Sequence, residues 1–209
     1  MKTLNGDKLR AFFHALVHPF DGFYEIRFRG QGSLTLALLI LALFGALRCA
    51  SFQYTGFVMN YNAIEEMDSL SIFVSSVSVV MLFAVSNWTV TTLFNGKGKL
   101  SDILIVACYS LFILFIGEGL TTVFSNFVTI EEIMILQAVR VLAVVWFAFV
   151  LVAGLGTIHE YSLGGNLLSL LMTVVAAAVI LFIGILLFTM IERMIGFFSS
   201  VFEEILRRV

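Results

Sequence analysis

Three charged side chains interrupt long apolar runs of this sequence. Arg48 follows LALLILALFGAL, Glu118 lies within LFILFIGEGLTTVF, and Arg140 lies within MILQAVRVLAVVWF. A charge in lipid is costly, so such residues usually face the protein interior, pair with one another, or line an ion or proton path. Two kinds of chemistry are therefore open to them. They are a structural ion pair between helices, and a polar cavity used for transport or proton movement.

The positions of these charges along their runs suggest a cluster. At ~1.5 Å per helical residue, Glu118 lies roughly 9 Å, Arg140 about 10 Å and Arg48 roughly 7 Å below the outer ends of their runs. Glu192 ends the last apolar run on the same side. We therefore predict a charge cluster of Arg48, Glu118, Arg140 and Glu192. Within it Glu118 is expected to neutralise Arg140 on the adjacent antiparallel helix, with Arg48 nearby.

Other sites of chemistry are absent from the sequence. It has no nucleophile–base arrangement, no phosphate-binding loop and no metal-ligand spacing. His14 and His18 are four residues apart, but Pro19 ends that helix. Cys49 and Cys108 lie in apolar runs, where we expect small hydrophobic side chains rather than a disulfide. We expect no catalytic residue, no metal and no cofactor.

The composition is that of a membrane protein. Hydrophobic residues make up 60% of the 209, charged residues 12%, and the mean hydropathy is +1.05, whereas a soluble domain has about 25% charged residues. The net charge of -2 gives no reason to expect nucleic acid. A helix spans a bilayer with about 20 apolar residues, and five runs qualify. We predict an all-α polytopic protein whose bundle, 34–191, has spans at 34–52, 70–94, 102–124, 134–158 and 167–191.

Amphipathic helices are predicted at both ends of the chain. Residues 1–33 are expected to form interfacial helices whose apolar face draws its stability from lipid or from the cytoplasmic ends of the spans, not from the bundle core. That face carries Leu9, Phe12, Phe13, Leu16 and Val17. Residues 192–209 are expected to form an amphipathic carboxyl-terminal helix. Either segment could cover an end of the bundle or dock a specific partner.

Loop charges predict the orientation. Lysine and arginine favour the cytoplasmic side. The amino-terminal segment and the second loop together carry seven of them, whereas the first and third loops carry none. The amino terminus and the second loop should therefore be cytoplasmic, and five spans then place the carboxyl terminus outside. The three arginines at 193, 207 and 208 are the exception.

Four motifs give the chain a resemblance to a known family. They are HPFDGFYEIRFRGQGS before the first span, NWTVTTLFNGKGKLSDI across the second loop, CYSLFIL in the third span and IHEYSLGGN after the fourth. Together they resemble a bacterial member of the Ypt/Rab-interacting (YIP) five-span membrane proteins, over nearly the whole chain. The matching family-motif positions are Asn87, Trp88, Gly96, Gly98 and Tyr109.

The resemblance implies five spans, a cytoplasmic amino terminus and an external carboxyl terminus, in agreement with the loop charges. Two features depart from the family. Many relatives carry a proline soon after the tyrosine that corresponds to Tyr109, and this chain does not. The resemblance implies that eukaryotic members act with small GTPases through a longer cytosolic amino-terminal region. Only 33 residues precede the first predicted span in this sequence, so we do not expect that role here.

The sequence favours a non-enzymatic protein of the bacterial inner membrane, acting as a scaffold that binds partners or organises lipid. Its expected partners are the lipid bilayer and other membrane proteins or further copies of itself. The alternative is a small transporter or channel that uses Arg48, Glu118 and Arg140, with an ion or small molecule as ligand.

The topology can be tested with reporter fusions. A fusion after Gly98 should report a cytoplasmic location, and a fusion after Val209 an external one, because seven basic residues flank the inner side and three the outer. A cytoplasmic signal at Val209 would mean an even number of crossings.

Overall fold

Residues 6–60 and 68–208 are described by a computed structural model. They form seven α-helices: α1 (Gly6–Val17), α2 (Pro19–Phe28), α3 (Leu34–Tyr54), α4 (Ser69–Leu93), α5 (Leu100–Phe124), α6 (Ile133–His159) and α7 (Leu163–Arg208). A 3₁₀ turn, Ile130–Glu132, precedes α6. Lys2, one of the seven basic residues behind the topology prediction, and Val209, the site of its second reporter fusion, lie outside the described residues.

The five helices α3 to α7 are each long and apolar enough to cross a membrane. The shortest, α3, has 21 residues and is therefore about 31 Å long, which matches a hydrocarbon core of about 30 Å. The part of the chain that the structure describes has no β-strand. The predicted fold class is confirmed.

Helix α5 is the centre of the bundle. It packs against α3, α4, α6 and the amino-terminal helix α1. Every residue from Ile103 to Leu111 is buried, because α1, α3, α4 and α6 pack around this part of the helix. The other helices are arranged around this segment.

Helices α1 and α2 form an antiparallel hairpin with its turn at His18. A Cβ at Gly22 would lie 2.3 Å from the Cα of Ala15, so the two helices are in backbone contact there. Pro19 starts α2, where its missing N–H group costs no helical hydrogen bond.

This hairpin is part of the bundle core. The ring of Phe12 packs edge-on against Tyr109 at 4.8 Å and Phe112 at 5.1 Å between centroids. The Trp146 indole donates a hydrogen bond to the carbonyl of Leu16 at 3.2 Å. The expectation that the amino-terminal apolar face stays outside the core is therefore corrected. Its residues divide between two surfaces, since Phe12 is 3% exposed and Phe13 is 56% exposed.

The hairpin also reaches far along the bundle. Trp146 lies 13 residues before His159, the last residue of α6, which is about 20 Å of helix. The turn of the hairpin therefore lies about 20 Å from this end of α6. Arg27, at the other end of the hairpin, lies near the end of α6 and contacts the second loop.

Helix α7 differs from the other spans in length and in exposure. Its 46 residues are continuous across the predicted boundary between residues 191 and 192, where the sequence has neither proline nor glycine. Its buried residues, Asn166, Ser169 and Thr173, all lie in its first three turns. Every residue from Leu181 to Ser200 is exposed. The span and the predicted carboxyl-terminal helix are therefore one helix.

Candidate functional site

The predicted charge cluster contains one ion pair, between Arg48 on α3 and Glu118 on α5. The Glu118 side chain is 15% exposed and that of Arg48 is 48% exposed. The predicted pair between Glu118 and Arg140 is therefore corrected: Glu118 bonds the arginine on the other neighbour of α5.

The rotation of α5 explains this pairing. A Cβ at Gly117 would lie 2.5 Å from the Cβ of Ala143, so position 117 faces α6. The next residue on a helix is turned by about 100°, and Glu118 therefore points away from α6. The side on which it lies is that of α3, where the backbone at Gly119 approaches Leu47.

Arg140 lies beside this pair without joining it. It is exposed on α6, and among the described residues it has no carboxylate within ion-pair distance. It nevertheless lines the same cavities as Arg48 and Glu118. Glu192 does not line them and lies exposed on α7. Three of the four predicted residues are thus brought together.

Two cavities meet at these three charges. We call them together the outer cleft, because the orientation predicted from the loop charges places them on the outer side. The first, of about 430 Å³, is bordered by serine and threonine side chains as well as the charges. The second, of about 320 Å³, has an otherwise apolar lining formed by Phe44, Leu114, Gly117, Ala143 and Val144. The hydroxyl-bearing residues of the first are Ser51, Thr55, Ser75 and Ser76.

A second group of polar contacts lies at the opposite end of the bundle, and we call it the inner clasp. The N–H of Gly98 donates to Nδ1 of His159 at 3.2 Å. The hydroxyl of Tyr161 donates to the carbonyl of Phe94 at 3.1 Å. A Cβ at Gly96 would lie 2.6 Å from Nδ1 of His159. The loop between α4 and α5 is therefore held against the turn between α6 and α7, and its glycines permit the close approach.

Charged groups extend the inner clasp to the hairpin. Arg27 on α2 pairs with Asp102 and also donates to the carbonyl of Lys97. Lys97 in turn pairs with Glu160. The N–H of Lys99 donates to Asp102 at 3.1 Å, which caps the start of α5. The clasp therefore joins three parts of the chain that are far apart in sequence.

Two further family-motif residues, Asn87 and Tyr109, form hydrogen bonds to other parts of the bundle. Asn87 on α4 is buried and donates through Nδ2 to Oγ1 of Thr173 on α7 at 3.0 Å. The hydroxyl of Tyr109 on α5 accepts from the N–H of Ser33 at 3.2 Å. Trp88 differs, because its side chain is largely exposed on the outside of α4. Asn87 and Tyr109 therefore each join one helix of the bundle to another part of the chain.

The sequence alone did not predict which residues contact the motif glycines Gly96 and Gly98. His159 and Tyr161 lie in IHEYSLGGN, and Asp102 lies in NWTVTTLFNGKGKLSDI, so both quoted motifs contain residues of the inner clasp. The signal was the motif itself. A glycine predicts close approach of the backbone to a neighbour but does not identify that neighbour.

The Yip1 domain model matches residues 13–190, which is most of the chain. This chain belongs to the Yip1 domain family. No curated protein and no solved structure matches it. The matched region of this Yip1-domain protein contains most of the hairpin, the inner clasp, the outer cleft and α7 as far as Met190.

The ion pair can be tested with two double-mutant cycles in detergent. Glu118→Gln combined with Arg48→Gln should cost less stability than the sum of the single changes, with a coupling of about 0.5 kcal/mol or more. This value lies at the lower end of the range because Arg48 is half exposed. The control cycle, Glu118→Gln with Arg140→Gln, should be additive. Coupling found only with Arg140 would contradict the observed pairing.

Proposed function

We propose that this Yip1-domain protein is a non-enzymatic scaffold of a bacterial cytoplasmic membrane, which binds other membrane proteins through the exposed part of α7. The Yip1 family is not a known enzyme family, which is consistent with this proposal. The orientation that we propose is a cytoplasmic amino terminus and an external carboxyl terminus, so that the inner clasp faces the cytoplasm.

The observation that carries the proposal is the one-sided attachment of α7. We call residues 181–208 the α7 arm. At ~1.5 Å per residue the arm is about 42 Å long and the whole helix about 69 Å, more than twice the thickness of the hydrocarbon core. Residues 163–173 attach the helix to the bundle, chiefly to α4. From Leu181 to Ser200 the arm is therefore a long helical surface that its own bundle leaves exposed.

The arm exposes large aromatic side chains along its length. Phe188, Phe198 and Phe202 are each more than 60% exposed. Helices associate in membranes by van der Waals packing. Where the arm extends past the hydrocarbon core, burial of large aromatic rings adds a hydrophobic gain. A transmembrane helix of a partner protein, or the arm of a second copy, could supply such a surface.

The transport alternative has one observation in its favour, the grouping of two arginines and a glutamate around the outer cleft. The packing in the half of the bundle nearer the inner clasp favours a binding protein over one that lets an ion or small molecule pass. Between the cleft and the inner clasp, α5 is buried over nine consecutive residues, and Phe12 of the hairpin fills the space beside Tyr109 and Phe112.

Photo-cross-linking in native membranes tests the scaffold proposal. A photoreactive amino acid at Phe198, on the arm, should give a protein adduct of one defined mass, whereas the same group at Leu142, equally exposed on α6, should react with lipid alone. Both the partner's identity and a doubled chain mass can be read by mass spectrometry.

The cross-linking experiment can also contradict the scaffold proposal. Absence of a protein adduct at Phe198, or identical adducts at both positions, would contradict a specific partner on the arm. Ion flux through purified protein in liposomes, abolished by Glu118→Gln, would support the transporter in its place.

A further inference from the structure

The outer cleft is chemically divided along its length. Its first cavity is bordered by four hydroxyl-bearing side chains as well as by Phe52, Met59 and Ile72, whereas its second has only apolar residues beside the charges. Both share Arg48, Glu118 and Arg140. Ligand pockets typically have volumes of about 300–1,000 Å³, and each cavity lies in that range. A cleft with one polar and one apolar compartment is complementary to an amphiphile, with its head in the first and its tail in the second.

The charge of the cleft favours an anionic head. Two guanidinium groups face one carboxylate, and Arg48 already pairs with that carboxylate. Arg140 lines both compartments and has no carboxylate partner among the described residues. An arginine in this position in a membrane is stabilised by a counter-ion, and its planar fork fits two oxygens of a phosphate.

The position of the cleft favours a ligand that enters from the lipid. Arg140 lies about 10 Å of helix from the start of α6, within reach of the headgroup region by extension of its side chain. Val144, one turn further along α6, lines the apolar compartment and is 49% exposed. The cleft is therefore open sideways, to the bilayer.

We propose that the outer cleft binds an anionic phospholipid of the outer leaflet, with its phosphate on Arg140 beside the Arg48–Glu118 pair and an acyl chain against Phe44, Leu114 and Val144. The bound lipid supplies a counter-charge for Arg140, which has no carboxylate partner among the described residues. This inference does not rest on the α7 arm, because α7 contributes no residue to the lining of either cavity.

Lipid retention tests the site. Purified protein is exchanged into mixed vesicles of phosphatidylglycerol and phosphatidylcholine, re-extracted, and its bound lipid counted by native mass spectrometry. The unmodified chain should retain phosphatidylglycerol in preference to phosphatidylcholine. Arg140→Gln should reduce that retention about tenfold, because a charge-assisted hydrogen bond is lost. Arg140→Lys should restore part of it.

A second pair of variants tests the apolar compartment. Val144→Trp would fill the compartment and should also reduce retention, whereas Val145→Trp, on the adjacent position that is 60% exposed and does not line the cleft, should not. Both changes add the same side chain to α6, and the thermal unfolding of each variant is measured beside its lipid retention. Lost retention counts for the proposal only if Val144→Trp unfolds at the same temperature as Val145→Trp.

Three results would overturn the proposal. One is equal retention of the two lipids by the unmodified chain. Another is retention that Arg140→Gln and Val144→Trp leave unchanged. The third is displacement of the lipid by inorganic phosphate, with phosphate alone binding equally well to the Val144→Trp variant, which would assign the site to a free anion.

Discussion

The contact on which the arrangement of helices depends most is made by Tyr109 in the middle of the buried segment of α5. Its hydroxyl accepts from the N–H of Ser33 at 3.2 Å and lies within 3.4 Å of the carbonyl of the same residue. Such a group is costly to bury without a partner, so this bond ties the start of α3 to α5. The ring of Tyr109 also supports Phe12. One side chain therefore positions a span and the amino-terminal hairpin together.

The outer cleft is a consequence of that arrangement. Helices α3 and α6 both pack along α5. Near the inner clasp the hairpin packs against both α5 and α6. Near the other end of the bundle, where the hairpin does not reach, the three charges and the two cavities lie beside these helices. The neutral hydrogen bond of Tyr109, nine residues from the start of α5, thus lies deeper along that helix than the ion pair of Glu118, which is six residues from its end. This distribution follows the cost of placing charge in hydrocarbon.

Much of the fold could be predicted because each span has a hydrophobic length that only a membrane requires. The partner of Glu118 could not be predicted, because equal depth fixes a position along the helix axis. It does not fix the rotation of the helix that turns Glu118 towards α3. The sequence could not show that Phe12 is buried and Phe13 exposed, because the core and the lipid both accept apolar side chains. The unbroken α7 shows a further limit, because a polar pair such as Glu192-Arg193 marks a change of environment without ending a helix.

The central claim is that the hairpin belongs to the core through Phe12, and a comparison of two adjacent phenylalanines tests it most directly. Thermal unfolding in detergent and limited proteolysis should be measured for Phe12→Ala and Phe13→Ala. Because Phe12 anchors the hairpin in the core, Phe12→Ala should cost about 3–5 kcal/mol and open new cleavage near Lys8 and Arg10. Phe13→Ala should stay within about 0.5 kcal/mol of the unmodified chain. Equal effects of the two changes, or an intact digestion pattern for Phe12→Ala, would contradict it.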